Sequence, residues 1–384
     1  MSFLNGRVTW ERFEVGGKAA PLGQKQVDAL ERYSIEERLG SGGDGTSVGF
    51  VAGEHVLDLQ FNLEKNLVND ALHAAVRIDA VKIPGDLKKA WIEMEVAERA
   101  AENPSGFPTR KQKQEAKEAV EERIQQETED GRYKTMKHFP FLWDSRQDVV
   151  YLGTASESVV ERFVPMFEEA FDRTLTRMSA GTVGLETAKE KKMQRSFEDV
   201  APAAFFGASN KSYSVSWLGD NAASRDFLGN EFLLWLWWIV EGEADSIKLP
   251  DDSTAAVMMS RTLSLECPLA ETGKETISHE SPIRLPEAKH AVRLGKLPRK
   301  SGLTLIRHDE QYDFTISAET LGIASAALPK LDSATFVGFR QDRVDQIRHL
   351  TETIDLLFAA FIHRRLSSSW PGDLKKLRAW LREE

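Results

Sequence analysis

Two spacings of apolar residues alternate along the chain. In the first eighty residues the period is close to two. "GRVTWERFEV" sets Val8, Trp10 and Phe13 against polar neighbours, which predicts a half-buried strand. "SVGFVAG", "HVLDLQFNL" and "ALHAAVRIDAV" are three further strand candidates, so residues 1–85 read as mostly β. The period then lengthens. "IPGDLKKAWIEMEVAERAA" carries Pro84 and Gly85 as punctuation, Asp86 as an expected N-cap, and Leu87, Trp91 and Met94 at helical spacing. "TRKQKQEAKEAVEERIQQETEDG" is a second helix, polar on all sides, which either projects into solvent or lies against a polar partner. "FPFLWDSRQDVVYLG" predicts a hairpin turning at Asp144 to Asp148. "SESVVERFVPMFEEAFDRTL" predicts an amphipathic helix with Val160, Phe163, Phe167 and Phe171 on one stripe, closing a segment 86–178.

Residues 179–230 are less regular and read as an insertion or linker. In 231–340, "AAVMMSRTLSLEC", "LTLIRHD" and "YDFTISAETL" read as strands and "PEAKHAVRLG" as a short helix. Residues 341–384 carry the longest helix, with Val344, Ile347, Leu350, Ile354, Leu357, Phe358 and Phe361 at three- and four-residue steps, and then "WPGDLKKLRAWLREE". The exposed apolar positions expected on these last helices, such as Trp370 and Trp380, either pack within one subunit or join an interface. Strand and helix runs mix without regular βα alternation, which is the signature of an α+β fold with antiparallel sheets.

The densest apolar run is "EFLLWLWWIV", with Trp235, Trp237 and Trp238. It is too short to span a bilayer, which takes roughly 20 apolar residues. Single-strand binders interleave aromatics with cations, whereas here the neighbours are Leu and Ile. The run therefore belongs to the core, as a buried helix or strand. One cysteine, Cys267, excludes an internal disulfide and a cysteine-built zinc cluster and suits a reducing compartment. No secretory signal is visible at the N-terminus, and the expected location is cytoplasmic. The net charge of -10 opposes a simple basic nucleic-acid binder, although surface fields depend on where charges sit.

Catalytic signals are sparse. "GSGGDG", residues 40–45, lacks the Lys-Ser/Thr that completes a phosphate-binding loop and reads as a connection. His308, Asp309, Glu310 and Asp313 sit close in sequence but on a strand or its turn, and no nucleophile motif is present. No catalytic residue, cofactor or metal ligand is assigned. Cation clusters are better represented. Arg110, Lys111, Lys113 and Lys117 lie within "TRKQKQEAK", although glutamates follow at once. Arg132, Lys134 and Lys137 surround Tyr133 in "GRYKTMKH", and Lys289, Arg293, Lys296, Arg299 and Lys300 occupy "KHAVRLGKLPRK" with no acid among them. Such clusters suit phosphate contacts, because each neutralised phosphate releases condensed counterions.

The order of these elements resembles the recombination-associated protein RdgC family. The likeness begins with "FLNGRVTWERFEV" and "SVGFVAGE" and is strongest in "VRIDAVKIPGDLKKAWIEMEV". It runs through "FPFLWDSRQDVVYLGTASESVVERFVPMFEEAF" and, more weakly, through "FLLWLWW", "PEAKHAVRLGK" and the long last helix. The chain departs from the family in segment 179–230, in the tail after Ser369, and in an acidic "TLSLECPLAE" where family members carry lysines. The resemblance implies a ring-forming homodimer that encircles double-stranded DNA without sequence preference, with single-stranded DNA as a further ligand. It also implies association with the nucleoid and restraint of a RecA-type recombinase. Carried over by position, the expected DNA contacts are Arg132, Tyr133, Lys134 and Lys137, then Lys296, Arg299 and Lys300, then Arg110, Lys111 and Lys113, and finally Arg77. Two rivals remain open: a metal-dependent nuclease using Asp309, Glu310 or Asp313, and a protein-interaction scaffold.

Overall fold

The computed structural model describes residues 2–18, 21–38, 46–129, 132–205, 215, 224–242, 246–270, 273–333 and 335–383. The loop at 40–45 lies outside them. Two compact units share the chain discontinuously: residues 1–26, 62–73 and 140–384 form the first, and 27–61 with 74–139 form the second. The consecutive segments expected from the sequence do not coincide with these units.

In chain order the elements are β1 (Val8–Val15), α1 (Gln24–Arg32), β2 (Thr46–Val51), α2 (Leu63–Asn66), β3 (Leu67–Val68), β4 (Ala71–Val81), α3 (Gly85–Ala101), α4 (Arg110–Glu129), β5 (Lys134–Asp144), β6 (Val149–Leu152), α5 (Glu157–Phe171), β7 (Leu175–Arg177), α6 (Ala180–Glu190), α7 (Gln194–Glu198) and α8 (Phe227–Gly242). Then follow β8 (Ile247–Lys248), β9 (Thr254–Glu266), β10 (Glu275–His279), α9 (Pro286–Arg293), β11 (Leu297–Arg307), β12 (Glu310–Ser317), β13 (Ile323–Ala327), α10 (Phe336–Leu366) and α11 (Trp370–Trp380). The strands pair antiparallel in the order β10-β9-β11-β12-β13-β1-β6-β5-β4-β2, with β3 on β4, β7 on β1 and β8 on β9. The fold is thus α+β, built among the described residues on a thirteen-stranded antiparallel sheet. Gly302 marks a bulge between β9 and β11, where a Cβ would stand 2.1 Å from the Ser260 carbonyl oxygen, so only glycine fits.

The tryptophan run is core, as expected, and its form is helical. From Phe227 to Ile239 every residue of α8 is buried. Both sides of the helix are covered, by β9 and β11 on one hand and by α6, α10 and α11 on the other. Trp237 meets Trp380 edge-on at 5.5 Å, and Phe361 stands edge-on to Trp370. The two C-terminal tryptophans are therefore buried, so of the two alternatives the sequence leaves open, packing within the subunit is the one the structure shows. Burying each large side chain contributes roughly 1.5–3 kcal/mol, which favours docking α11.

Several local expectations also change. Strand β1 is not half-buried: Glu11 and Arg12 are enclosed too, because β13, β6 and β7 all pair with it. "HVLDLQFNL" is not a strand. The Asp58 carboxylate accepts the Glu54 and Gln60 backbone N–H groups and coils the segment into turns, and α2 begins at Leu63. The first eighty residues also include α1, whose Val27 and Leu30 are buried. Pro84, not Asp86, is the N-cap of α3, and Met94 faces outward. Residues 179–205 are no linker. Ser179 caps α6 through a reciprocal bond with Thr182, and Ala180, Val183 and Phe197 join the core. Residues 206–214 and 216–223 of that segment lie outside the described residues.

Candidate nucleic-acid interface

In the second unit, α3 and α4 pack against each other. Helix α4 buries only a narrow stripe, Ala116 and Val120, as its polar sequence requires. Its start is fixed by a capping box. The Gln112 backbone N–H donates to Thr109 Oγ1, and the Thr109 backbone N–H donates to Gln112 Oε1. Gln112 Nε2 further donates to the Arg99 carbonyl, tying the helix start to α3. Arg110, Lys111 and Lys113 are exposed just inside this cap, and the first turn holds no acid. Helix dipoles favour the opposite arrangement, and each cation near an N-terminus costs about 0.3–1 kcal/mol. Lys111 approaches Glu115 at 3.6 Å with its side chain 87% exposed, a pairing worth little in water. Arg110 and Lys113 have no ion partner among the described residues.

The "GRYKTMKH" residues divide. Arg132 is exposed and only 3.8 Å from Glu127 at its nearest, and Lys137 is exposed with no ion partner among the described residues. Tyr133 is committed elsewhere. It turns the chain with φ 62°, stands edge-on to Trp91 at 6.3 Å and bonds Glu127; its phenol is raised by desolvation and then by that carboxylate. It is no free stacking platform. Lys134 reaches Asp79 at 3.1 Å. Arg77 is 6% exposed and donates two 2.7 Å bonds to the same carboxylate. It also donates to the Val56 carbonyl and to Met136 Sδ. Arg77 is therefore a buried structural cation rather than a surface one. Lys82, which the sequence reading missed as an isolated lysine, is exposed, and its backbone N–H donates to the Tyr133 carbonyl beside Arg132.

In the first unit the "KHAVRLGKLPRK" cations are mostly neutralised. Lys296 is buried on Glu275 at 2.8 Å. Arg299 spans Glu266 and Glu319, each at 2.8 Å. Burial opposes its charge, but the two carboxylates outweigh burial and raise the guanidinium above its ordinary value. Lys289 pairs with Glu241 at 3.0 Å and lies over the Trp380 ring, and Arg293 donates to the Leu381 and Glu383 carbonyls. Only Lys300 stays exposed, in register with Ser317 on one side and Ser264 on the other. Arg261, also missed, is exposed on β9 and meets Asp313 only at 3.4 Å.

The carboxylates of the nuclease alternative do not converge. Glu310 accepts from Tyr312 and pairs with His349, while Asp313 accepts from Thr304 Oγ1. Asp309 sits in the β11–β12 turn at φ 63°. Among the described residues no three His, Cys, Asp or Glu side chains are placed to hold a metal ion, and no helix is long and apolar enough to cross a membrane. Comparison of the chain with protein-family models and with curated proteins returns no match.

Proposed function

We propose that the chain is a non-catalytic protein that binds duplex DNA through its phosphates, without reading sequence. One observation carries this reading: Arg110, Lys111 and Lys113 stand exposed in the first turn of α4, where they weaken the helix and the turn itself holds no acid. Cations kept at such a cost are explained by an anionic partner. Lys82, Arg132 and Lys137 of the same unit, and Lys300 and Arg261 of the other, add exposed positive charge of the same kind. Arg77, Lys134, Lys296 and Arg299 leave the proposed contact set, because their charges are spent on Asp79, Glu275, Glu266 and Glu319.

The resemblance to the RdgC family supports the finer part of the proposal. A homodimer would encircle the duplex, persist on it through ring closure, and restrain a RecA-type recombinase by occupying its DNA in the nucleoid of the cytoplasm. Phosphate contacts position without specifying sequence.

The test is a triple reversal, Lys111→Glu, Lys113→Glu and Arg132→Glu, on exposed side chains. Fluorescence anisotropy with two unrelated duplexes should show affinity falling at least about tenfold for both, with a shallower salt dependence. Thermal unfolding should hold or rise slightly, because two cations of the first turn give way to acids that the helix dipole favours. Equal affinity of variant and parent would remove α4 from the interface, and light scattering with and without DNA tests the dimer.

A further inference from the structure

The first unit contains a cavity of about 610 Å³ bounded by the end of α8, β10 and the start of α9. Small-molecule sites occupy roughly 300–1,000 Å³ and combine apolar walls with a few polar groups that orient the ligand. Here Ile283, Leu285 and Pro286 supply the apolar wall. Most of the charged lining is already committed. Glu241 accepts from both Lys289 Nζ and Trp380 Nε1, Glu275 holds Lys296, and Arg293 is fixed on the carbonyls of Leu381 and Glu383.

Three lining residues remain: Arg284, Glu287 and His290, whose side chains make no hydrogen bond or ion pair among the described residues. Arg284 and Glu287 are exposed and do not pair with each other. One unspent cation, one unspent anion and an apolar wall define a complementary ligand. We propose that this cavity binds a small zwitterion with an aliphatic side chain, that is, a free α-amino acid of the leucine type. The guanidinium fork of Arg284 matches a carboxylate, Glu287 matches an ammonium group, and the alkyl group lies on Ile283, Leu285 and Pro286. A plain anion would engage Arg284 but leave Glu287 without a counter-charge.

Calorimetric titration of the full-length protein with L-leucine, leucinamide and N-acetyl-leucine tests the assignment. L-Leucine should bind, and each blocked analogue should bind about tenfold more weakly, the worth of one charge-assisted hydrogen bond. Arg284→Ala should abolish the preference over leucinamide alone. Glu287→Gln should abolish the preference over N-acetyl-leucine alone. Both positions are exposed, so unfolding temperatures should match the parent and certify the fold. No heat with L-leucine, equal affinity for the three compounds, or unaltered preferences in the variants would each overturn the proposal. None of these outcomes touches the DNA-binding reading, which involves other residues.

Discussion

Two stretches of the chain carry almost the same cationic pattern, yet the fold treats them differently. "TRKQK" keeps Arg110, Lys111 and Lys113 in solvent at the start of α4. "GKLPRK" puts Lys296 and Arg299 against Glu275, Glu266 and Glu319, which come from β10, β9 and the turn after β12, and leaves only Lys300 outside. Local counting of acids ranks the two stretches in the reverse order. Glutamates crowd α4 in sequence, but exposed helix pairs neutralise little. The acids that quench "GKLPRK" are distant in sequence and adjacent in space. A cation is available to a ligand when its surroundings leave it solvated, not when its neighbours in the chain happen to be neutral.

Substitutions can break or sharpen this contrast. The largest effect is expected for Arg77→Ala, which removes two short bonds from Asp79, a carboxylate only 3% exposed. With Lys134 left as its partner, stability should fall by about 3 kcal/mol. Urea unfolding measures the loss, while duplex affinity of the folded fraction should hold. Weaker DNA binding at unchanged stability would return Arg77 to the interface. Arg299→Ala should cost less, about 2 kcal/mol, because its bridges to Glu266 and Glu319 are partly open to water. An unaltered urea midpoint would show that these bridges are idle.

The smallest effect is a slope, seen from the acid side of the same rule. Glu11 is 3% exposed, and burial raises its carboxyl above its ordinary 4.5, against the pull of Arg177 and Thr320. The folded chain therefore holds this proton more tightly than the unfolded chain does. Stability contributed by the protonated form is complete below 4.5 and is lost as pH rises through the raised value. Glu11→Gln should flatten that decline, and Arg177 keeps Glu157 at 2.7 Å. Parallel curves for parent and variant across acidic to neutral pH would contradict the assignment.

Where one face of a segment is apolar and long, the sequence was readable. The core placement of "EFLLWLWWIV", the stripe of α10 and the β5–β6 hairpin all follow from burial period and turn chemistry. The α4 stripe of two small residues was legible only as polarity, and its packing on α3 depends on Gln112 and Trp91. "HVLDLQFNL" misled because Asp58 competes for backbone N–H groups, and residues 179–205 because their apolar positions are few and pack on distant helices. Of the expected contacts, exposure of Arg110, Lys111, Lys113 and Lys137 was within reach of local pattern. The pairing of Arg77 with Asp79, two apart on one face of β4, was also within reach of the strand period, whereas burial of Lys296 and Arg299 was not, since their partners arrive from β10, β9 and the turn after β12.

Strand β1 is wedged between β13 and β6, and Arg12 is anchored on Asp355, 343 residues further along. Arg343 likewise grips the carbonyls of Phe3 and Gly6. During synthesis at roughly 5–20 residues per second, β1 leaves the ribosome many seconds before these partners exist. Its β13-facing edge and Trp10 stay unpaired for that long, an interval in which an open strand edge is prone to mispairing. Translation pausing upstream of α10 would lengthen the wait and lower the yield of folded protein.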